Sequence, residues 1–382
     1  MAHWQMPLHL PKAGLHQEAF KAGVNAGFCW RSSCRLGNGE RGRESKTVKP
    51  VTHQCILPVA SVALFCGWPV TPPAFAQTYP TKPIRIVVAF PPGGSTDFAA
   101  RVLASHLPKA LGQSIVVDNR GGAGGNIGND IVAKAAPDGY TLLVTTEGAI
   151  TISPSLYASL PYNATRDLAP ITQIIKYANV VALHPSVKAG TAKELVALAK
   201  DQPGKLSYAH PGVGTNVHLG AELFNQMAGI KITGVSYKGG GPAIISLIGN
   251  ETQISFATPP SAIPHVKSGR LKVIAVTSAK RSAALPDLPT LAESGVAGYN
   301  VEGWVGFYAP AKTPDSIIAR VYDETTKVLK LPEVRDAVLA TGSEPSGISP
   351  RETTTIVREE TAMWAKLDRK STRLNSSHIT IS

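Results

Sequence analysis

Short apolar runs and helical patterns alternate along the chain from Lys82 onward. The runs are rich in β-branched residues and do not alternate between apolar and polar positions, which is typical of strands buried on both faces. This pattern predicts an α/β fold with a mainly parallel sheet. Pro108 is expected to end or kink the first helix. The segments are IRIVVAF (84–90), FAARVLASHL (98–107), SIVVD (114–118), IVAKAA (131–136) and YTLLVTT (140–146).

A second series of strands and helices begins near residue 177 without a long linker. This restart predicts two α/β lobes joined by crossing strands. The apolar run GWVGFYAP (303–310), a helix from Pro314 to about Leu329 and one from Pro350 to about Leu367 are expected to return to the first lobe. Thr191 is expected to cap the helix TAKELVALAK (191–200). The second series comprises NVVALH (179–184), TAKELVALAK (191–200), KLSYAH (205–210), VHLGAELFNQMAG (217–229), KITGVSY (231–237), PAIISLIG (242–249), QISFAT (253–258) and LKVIAVTS (271–278).

The two ends of the chain differ in pattern from the middle. Residues 55–68 form one apolar run after a basic segment, and small residues precede Gln77, which predicts a secretory signal cleaved near Ala76. A buried core segment or a membrane anchor is the alternative. The residues upstream of the signal suggest a start codon assigned too early, and the polar tail 369–382 is interpreted as non-native.

These ends fix the expected domain limits and change the charge of the remainder. Lobe 1 is expected to span 77–177 and 300–368, and lobe 2 to span 178–299, after removal of 1–76. The formal charge of +12 then falls to +4, from 27 basic and 23 acidic side chains. This mild charge argues against a nucleic-acid partner. All four cysteines precede the cleavage site, which excludes a disulfide scaffold or thiolate zinc site in the mature chain.

Glycine-rich turns between a strand and a helix carry the candidate chemistry. In AFPPGGSTD (89–97), the two glycines permit close backbone approach, and Ser95 or Thr96 can cap the helix. Free N–H groups at such a helix start suit a carboxylate or phosphate. The alternative is that these hydroxyls merely cap their own helix. HPGVGTNVHLGAE (210–222), with Thr215 as N-cap, and KGGGPAI (238–244) repeat the arrangement in the second lobe.

Motifs of nucleotide-binding proteins and of enzymes are missing. The glycines of NRGGAGGNIGN (119–129) have the wrong spacing for a dinucleotide fingerprint, and no P-loop occurs. The chain also lacks G-x-S-x-G and H-E-x-x-H, and its histidines have no metal-ligand spacing. We therefore expect no catalytic residue, no metal and no cofactor.

Many segments in order resemble the substrate-binding receptors of tripartite tricarboxylate transporters, also called Bug-type proteins. The resemblance implies the fold of a type II-like periplasmic binding protein, with two lobes joined by two crossover strands. These lobes close over a small carboxylate, which is then delivered to the membrane subunits of the transporter. It runs from about Tyr79 to Asp368 through YPTKPIRIVVAFPPGGSTD, GQSIVVDNRGGAGGNIG, PDGYTLL, LYASLPYN, PGKLSYA, GTNVHLGAELF, YKGGGPA, SAIPHVKSGRLKVIAVTS, LPDLPTLAESG and the W-x-G-x-x-A-P at Trp304.

The resemblance also implies which residues hold the ligand. Asp97 is expected to brace its loop, since a carboxylate beside an anion site is repulsive. The family more often has an acid or amide near Thr258, and its loss here disfavours an amino-acid ligand. The expected ligand-binding residues are Phe90, Gly93, Gly94, Ser95, Thr96, Asp97, Thr146, Gly148, Gly214, Thr215, His218 and Thr258.

The function expected from these observations is a monomeric, non-enzymatic periplasmic receptor for a di- or tricarboxylate or other organic acid. One alternative keeps the fold but makes the protein a ligand-sensing receptor. It would signal to a membrane sensor kinase by binding the ectodomain of that kinase. Another places a hydrolase or dehydrogenase on the same frame, which would turn its ligand over.

Overall fold

The computed structural model describes residues 79–157 and 159–377. The expected signal segment, its cleavage site and the four cysteines lie outside these residues, as does the end of the expected tail. Within the described part of the chain, no helix has the length and apolar character needed to cross a bilayer.

The described elements form two mixed sheets flanked by helices, which confirms the two-lobe α/β class. The strands are β1 (Ile84–Val88), β2 (Ile115–Asn119), β3 (Thr141–Thr146), β4 (Leu168–Ala178), β5 (Val180–Leu183), β6 (Ser207–His210), β7 (Thr233–Ser236), β8 (Ile254–Ala257), β9 (Lys272–Val276), β10 (Glu302–Pro310) and β11 (Glu344–Pro345). The helices are α1 (Ser95–Leu111), α2 (Asn126–Ala133), α3 (Ser153–Leu156), α4 (Ala164–Asp167), α5 (Ala192–Asp201), α6 (Asn216–Ala228), α7 (Gly240–Ile248), α8 (Pro259–Lys267), α9 (Asp315–Lys330), α10 (Pro332–Leu339) and α11 (Pro350–Ser377).

Lobe 1 contains the six-stranded sheet, in the order β11-β4-β10-β3-β1-β2, and lobe 2 the five-stranded sheet, in the order β7-β6-β8-β5-β9. The expectation of mainly parallel sheets is wrong, because β10 pairs antiparallel with β3 and β4, and β5 pairs antiparallel with β8 and β9. Helices cover both faces, so antiparallel strands also read as continuous apolar runs, and the sequence pattern alone does not reveal their direction.

Two crossings join the lobes at one hinge. The first is direct: β4 ends at Ala178, Asn179 follows, and β5 begins at Val180. The second runs from β9 back to β10. Backbone hydrogen bonds tie the two crossings together, from Thr277 N to Asn179 O at 2.9 Å and from Val301 N to Thr277 O at 2.8 Å. Relative motion of the lobes is therefore confined to a narrow strip of backbone.

Local chemistry explains where several helices begin and end. Thr191 caps α5 and Thr215 caps α6, each accepting from a first-turn N–H as predicted. Helix α1 continues through Pro108 to a left-handed Gly112. Pro108 lies in the last turn, so only one intrahelical hydrogen bond is lost. Helix α11 runs ten residues past the expected end because neither glycine nor proline interrupts it.

Candidate ligand site

Several helices begin at the boundary between the lobes, around one small cavity. The cavity encloses about 30 Å³, which is room for one or two water molecules. None of its lining side chains is charged. The lining residues are Phe90, Gly94, Ser95, Thr96, Thr146, Tyr177, Pro211, Thr215, Asn216, Val217, Gly240 and Thr258.

The starts of α1, α6 and α7 supply backbone donors to this region. Gly94 and Gly239 are the N-caps of α1 and α7, and neither can cap with a side chain. Helix α8 contributes fewer backbone donors, because its first two residues, Pro259 and Pro260, have no N–H. The hydroxyl of Thr258, its N-cap residue, is the polar side-chain group that this helix start presents to the cavity. The first-turn N–H groups without a partner among the described residues are those of Ser95, Thr96, Asp97, Asn216, Val217, Gly240 and Gly241.

Three further polar atoms of the cavity lining are buried without a hydrogen-bond partner. They are Thr146 Oγ1, Tyr177 Oη and Asn216 Nδ2. The Tyr177 hydroxyl faces the Ser95 side chain but does not meet hydrogen-bond geometry with it. Buried polar groups nearly always form hydrogen bonds, so three unpaired polar atoms in one cavity indicate a binding site for a polar ligand. Free N–H groups, helix dipoles and neutral hydroxyls together favour an anion.

The lobes meet through main chain at the glycine turns. An ideal Cβ on Gly241 would lie 2.3 Å from the Pro92 carbonyl oxygen, and one on Gly148 would lie 2.9 Å from that of Gly214. Because side chains are missing there, the two backbones approach each other closely across the boundary between the lobes. The structure therefore shows the closed arrangement of the lobes.

Seven of the twelve residues expected from the sequence line the cavity, and five lie around it. The seven are Phe90, Gly94, Ser95, Thr96, Thr146, Thr215 and Thr258. Gly93, Gly148 and Gly214 belong to the glycine turns instead. Asp97 accepts from Gly93 N, Asn119 Nδ2 and Arg101 Nε at 3.0–3.1 Å, which is the bracing arrangement that the repulsion argument anticipates.

His218 lies behind the second-lobe turn rather than in the cavity lining. Its ring lies 4.5 Å from that of His210, and its Nδ1 faces the N–H of Gly214 at 3.4 Å. Burial lowers the pKa of His218 to about 4, and burial together with His218 lowers that of His210 to about 4. Both rings are therefore neutral at physiological pH, so they support the turn without offering a cation to the ligand.

Sequence reasoning missed five lining residues: Tyr177, Pro211, Asn216, Val217 and Gly240. Asn216 and Val217 could have been found, because a cap at Thr215 places their N–H groups in the same first turn. Tyr177 had no such signal, since it lies one residue before the end of a strand that contains Pro170 and Lys176 and was not recognised from the sequence.

A larger cavity of about 310 Å³ lies beside the hinge. Its lining mixes cationic and anionic side chains, including Lys176, Lys280, Glu302 and Glu344, and Lys176 pairs with Glu344 at 3.1 Å. No helix start lines it. Nor do the described residues hold a cluster of His, Cys, Asp or Glu able to bind a metal ion. The smaller cavity is therefore the candidate ligand site.

Known proteins resemble this chain over most of its length. The sequence profile described as tripartite tricarboxylate transporter family receptor matches residues 99–372. The chain belongs to this receptor family. Protein BugT of Bordetella pertussis is 37% identical over 300 residues, which is 78% of this chain and 92% of BugT.

Solved structures of similar receptors share the fold over nearly their whole length. An R. palustris protein solved with adipate is 34% identical, with a TM-score of 0.74, over 77% of this chain and 98% of that one. MatC from Rhodopseudomonas palustris, solved with bound malate, is 28% identical, with a TM-score of 0.72, over 76% of this chain and 100% of that one. The receptor family and the two-lobe fold are thus established together.

Proposed function

We propose that this chain is a periplasmic receptor that binds a small organic acid between its lobes and delivers it to the membrane subunits of a tripartite tricarboxylate transporter. The observation that carries the proposal is the convergence of unpaired helix N-termini on an uncharged cavity where glycine turns bring the lobes together. Backbone amides and hydroxyls hold the carboxylate without a basic side chain. The relatives solved with adipate and malate support this choice of ligand class.

Binding requires the lobes to move. The cavity of about 30 Å³ is too small for an organic acid, so the lobes separate at the hinge to take up an acid and close again around it. Closure brings the first-turn N–H groups of both lobes onto the ligand. The closed shape is then the form that the transporter subunits recognise, and the acid leaves chemically unchanged.

A thermal-shift screen of the mature protein tests the ligand class. The panel contains adipate, malate, citrate and a monocarboxylate, with the corresponding amides as uncharged controls. A bound acid at a hundred times its Kd should stabilise the protein by about 2.7 kcal/mol. We expect at least one acid to raise the Tm and its amide to have no effect. No shift with any carboxylate, or an equal shift with the amide, would contradict the proposal.

Replacing Tyr177 with phenylalanine should weaken ligand binding without loss of stability. The hydroxyl has no hydrogen-bond partner among the described residues, so its removal leaves none of them newly unsatisfied in the unliganded protein. A hydrogen bond to a charged ligand is worth about 1.5–3 kcal/mol, which corresponds to a loss of about 10- to 150-fold in affinity. Calorimetric titration measures the affinity and thermal unfolding the stability.

The matched control is Tyr322→Phe, on helix α9 of the same lobe and outside the cavity lining. This variant should bind as the wild type does. Equal affinity of Y177F and the wild type would remove Tyr177 from the site.

A further inference from the structure

A buried carboxyl group, that of Glu147, and a half-buried one, that of Glu360, hold the same tryptophan just after the hinge. Glu147 Oε2 accepts from the backbone N–H of Trp304 at 3.0 Å, and Glu360 Oε1 accepts from its indole N–H at 3.1 Å. The second oxygen of Glu360 accepts from Thr151 Oγ1 at 3.1 Å. Neither carboxyl group forms an ion pair with a cation among the described residues. Burial of an unpaired carboxylate is costly, so these environments favour the neutral acid.

Glu147 lies directly behind the wall of the ligand cavity. It follows Thr146, which lines the cavity, and its side chain is 5% exposed. Its Oε1 is buried without a partner. A protonated Oε1 would be a donor in need of an acceptor, and the hydroxyl of Tyr177 is an unpaired acceptor of the same region.

The groups that face Glu147 come from three elements. Burial raises the pKa values of Tyr177 on β4 and Tyr308 on β10 well above 10, and the charge of Glu147 raises both further. Glu360 on α11 is the acid whose charge acts on Glu147. Burial, reinforced by Glu360, raises the pKa of Glu147 to about 8. Glu147 is therefore the group of this cluster that titrates just above neutral pH.

We propose that Glu147 is a positioning residue of the ligand site that acts in its protonated form. Its carboxyl proton is donated to the Tyr177 hydroxyl through one water molecule, because the two groups do not bond directly, and the Tyr177 proton then points at the ligand carboxylate. The inference rests on the proposed function, since it concerns how the same cavity holds an acid.

Ionisation of Glu147 has two effects on an anionic ligand. It places a negative charge behind the cavity wall, and it turns the Tyr177 proton away from the ligand and toward the glutamate. Both weaken binding. Conversely, a bound carboxylate makes the neutral form of Glu147 more favourable, so binding at pH 8 is accompanied by uptake of a proton. His210 and His218 titrate near pH 4 and do not contribute above pH 6.

Calorimetric titration from pH 6 to pH 9.5, with the acid that stabilises the protein most, tests this inference. We expect the wild-type affinity to be constant near pH 6 and to fall about tenfold by pH 9.5. Measurements at pH 8 in buffers of different ionisation enthalpy should show proton uptake. Glu147→Gln should bind within about threefold of the wild type at pH 6.5 and show no pH dependence.

Glu360→Gln is the matched control, because it removes the other carboxyl group on Trp304 but does not adjoin the cavity wall. It should keep the pH dependence, with the midpoint moved to lower pH, since Glu360 raises the pKa of Glu147.

Several outcomes would overturn the inference. These are a flat wild-type profile without proton uptake, an unchanged pH dependence in E147Q, or a folded E147Q that does not bind. Should E147Q fail to fold, the proton uptake of the wild type decides alone. A wild type that binds no acid at any pH defeats the proposed function as well, whereas pH-independent binding defeats only the role of Glu147.

Discussion

Replacing Gly241 with alanine should lower ligand affinity by about 5- to 150-fold and leave the unliganded protein folded. The added Cβ would lie 2.3 Å from the carbonyl oxygen of Pro92, on the opposite lobe. Both contacting segments are main chain, which cannot move aside as the end of a flexible side chain can. Overpacking of this kind costs about 1–3 kcal/mol. The clash exists only when the lobes are closed, so it opposes binding and not folding. Within α7 itself, alanine is the better helix former by about 1 kcal/mol.

Gly249→Ala provides a control at the other end of the same helix. Gly249 has an ordinary φ of −77°, and its added Cβ would lie 3.5 Å from the Ile245 carbonyl oxygen, a normal contact. Its affinity should stay within about twofold of the wild type. Calorimetric titration gives the affinities, and solution scattering shows whether the protein closes on ligand. Wild-type binding and closure by G241A would mean that the observed contact of the glycine turns is not the binding state.

Replacing Glu147 with glutamine should stabilise the protein at neutral pH by about 3 kcal/mol. The pKa of this group is about 8 in the folded protein against an ordinary value of 4.5. As pH rises past 4.5, the unfolded chain releases the proton while the folded protein still holds it, so folding stability falls until the pH passes about 8. Glutamine has nearly the size and shape of the neutral acid and does not titrate. Its amide oxygen can still accept the hydrogen bond from the Trp304 N–H.

Chemical denaturation at pH 4 and at pH 7 measures this effect. E147Q should gain little at pH 4 and most of the expected stability at pH 7. Glu359→Gln, an exposed position beside Glu360 on the same helix, should change stability little at either pH. An equal effect of E147Q at both pH values would show that Glu147 is not held protonated in the fold.

The sequence was most informative where a local rule acts. Thr191 and Thr215 are N-caps because a threonine followed by a helical pattern satisfies a first-turn N–H, and both caps were predicted. The turn at residues 89–97 was likewise recognised as a helix start with free donors. The two-lobe class followed from the restart of strand and helix patterns near residue 177.

Features that depend on tertiary contact were not accessible from the sequence. Strand β4 contains Pro170 and Lys176 and is identified only by its pairing with β10. Helix α8 carries three prolines, two at its first positions and Pro264 in its interior, which a propensity argument rejects. Tyr177 and Glu147 are ordinary residues in sequence, and only the pairing of β3 and β4 with β10 brings them to the same side of the cavity.

A crystal structure with the most strongly stabilising acid would show directly how the carboxylate is held. We expect closed lobes and a ligand carboxylate whose oxygens lie about 2.7–3.2 Å from first-turn N–H groups of both lobes, among them those of Ser95, Val217 and Gly240. No lysine or arginine should contact that carboxylate. An acid bound outside this cavity, or held there by a basic side chain, would contradict the proposed binding mode.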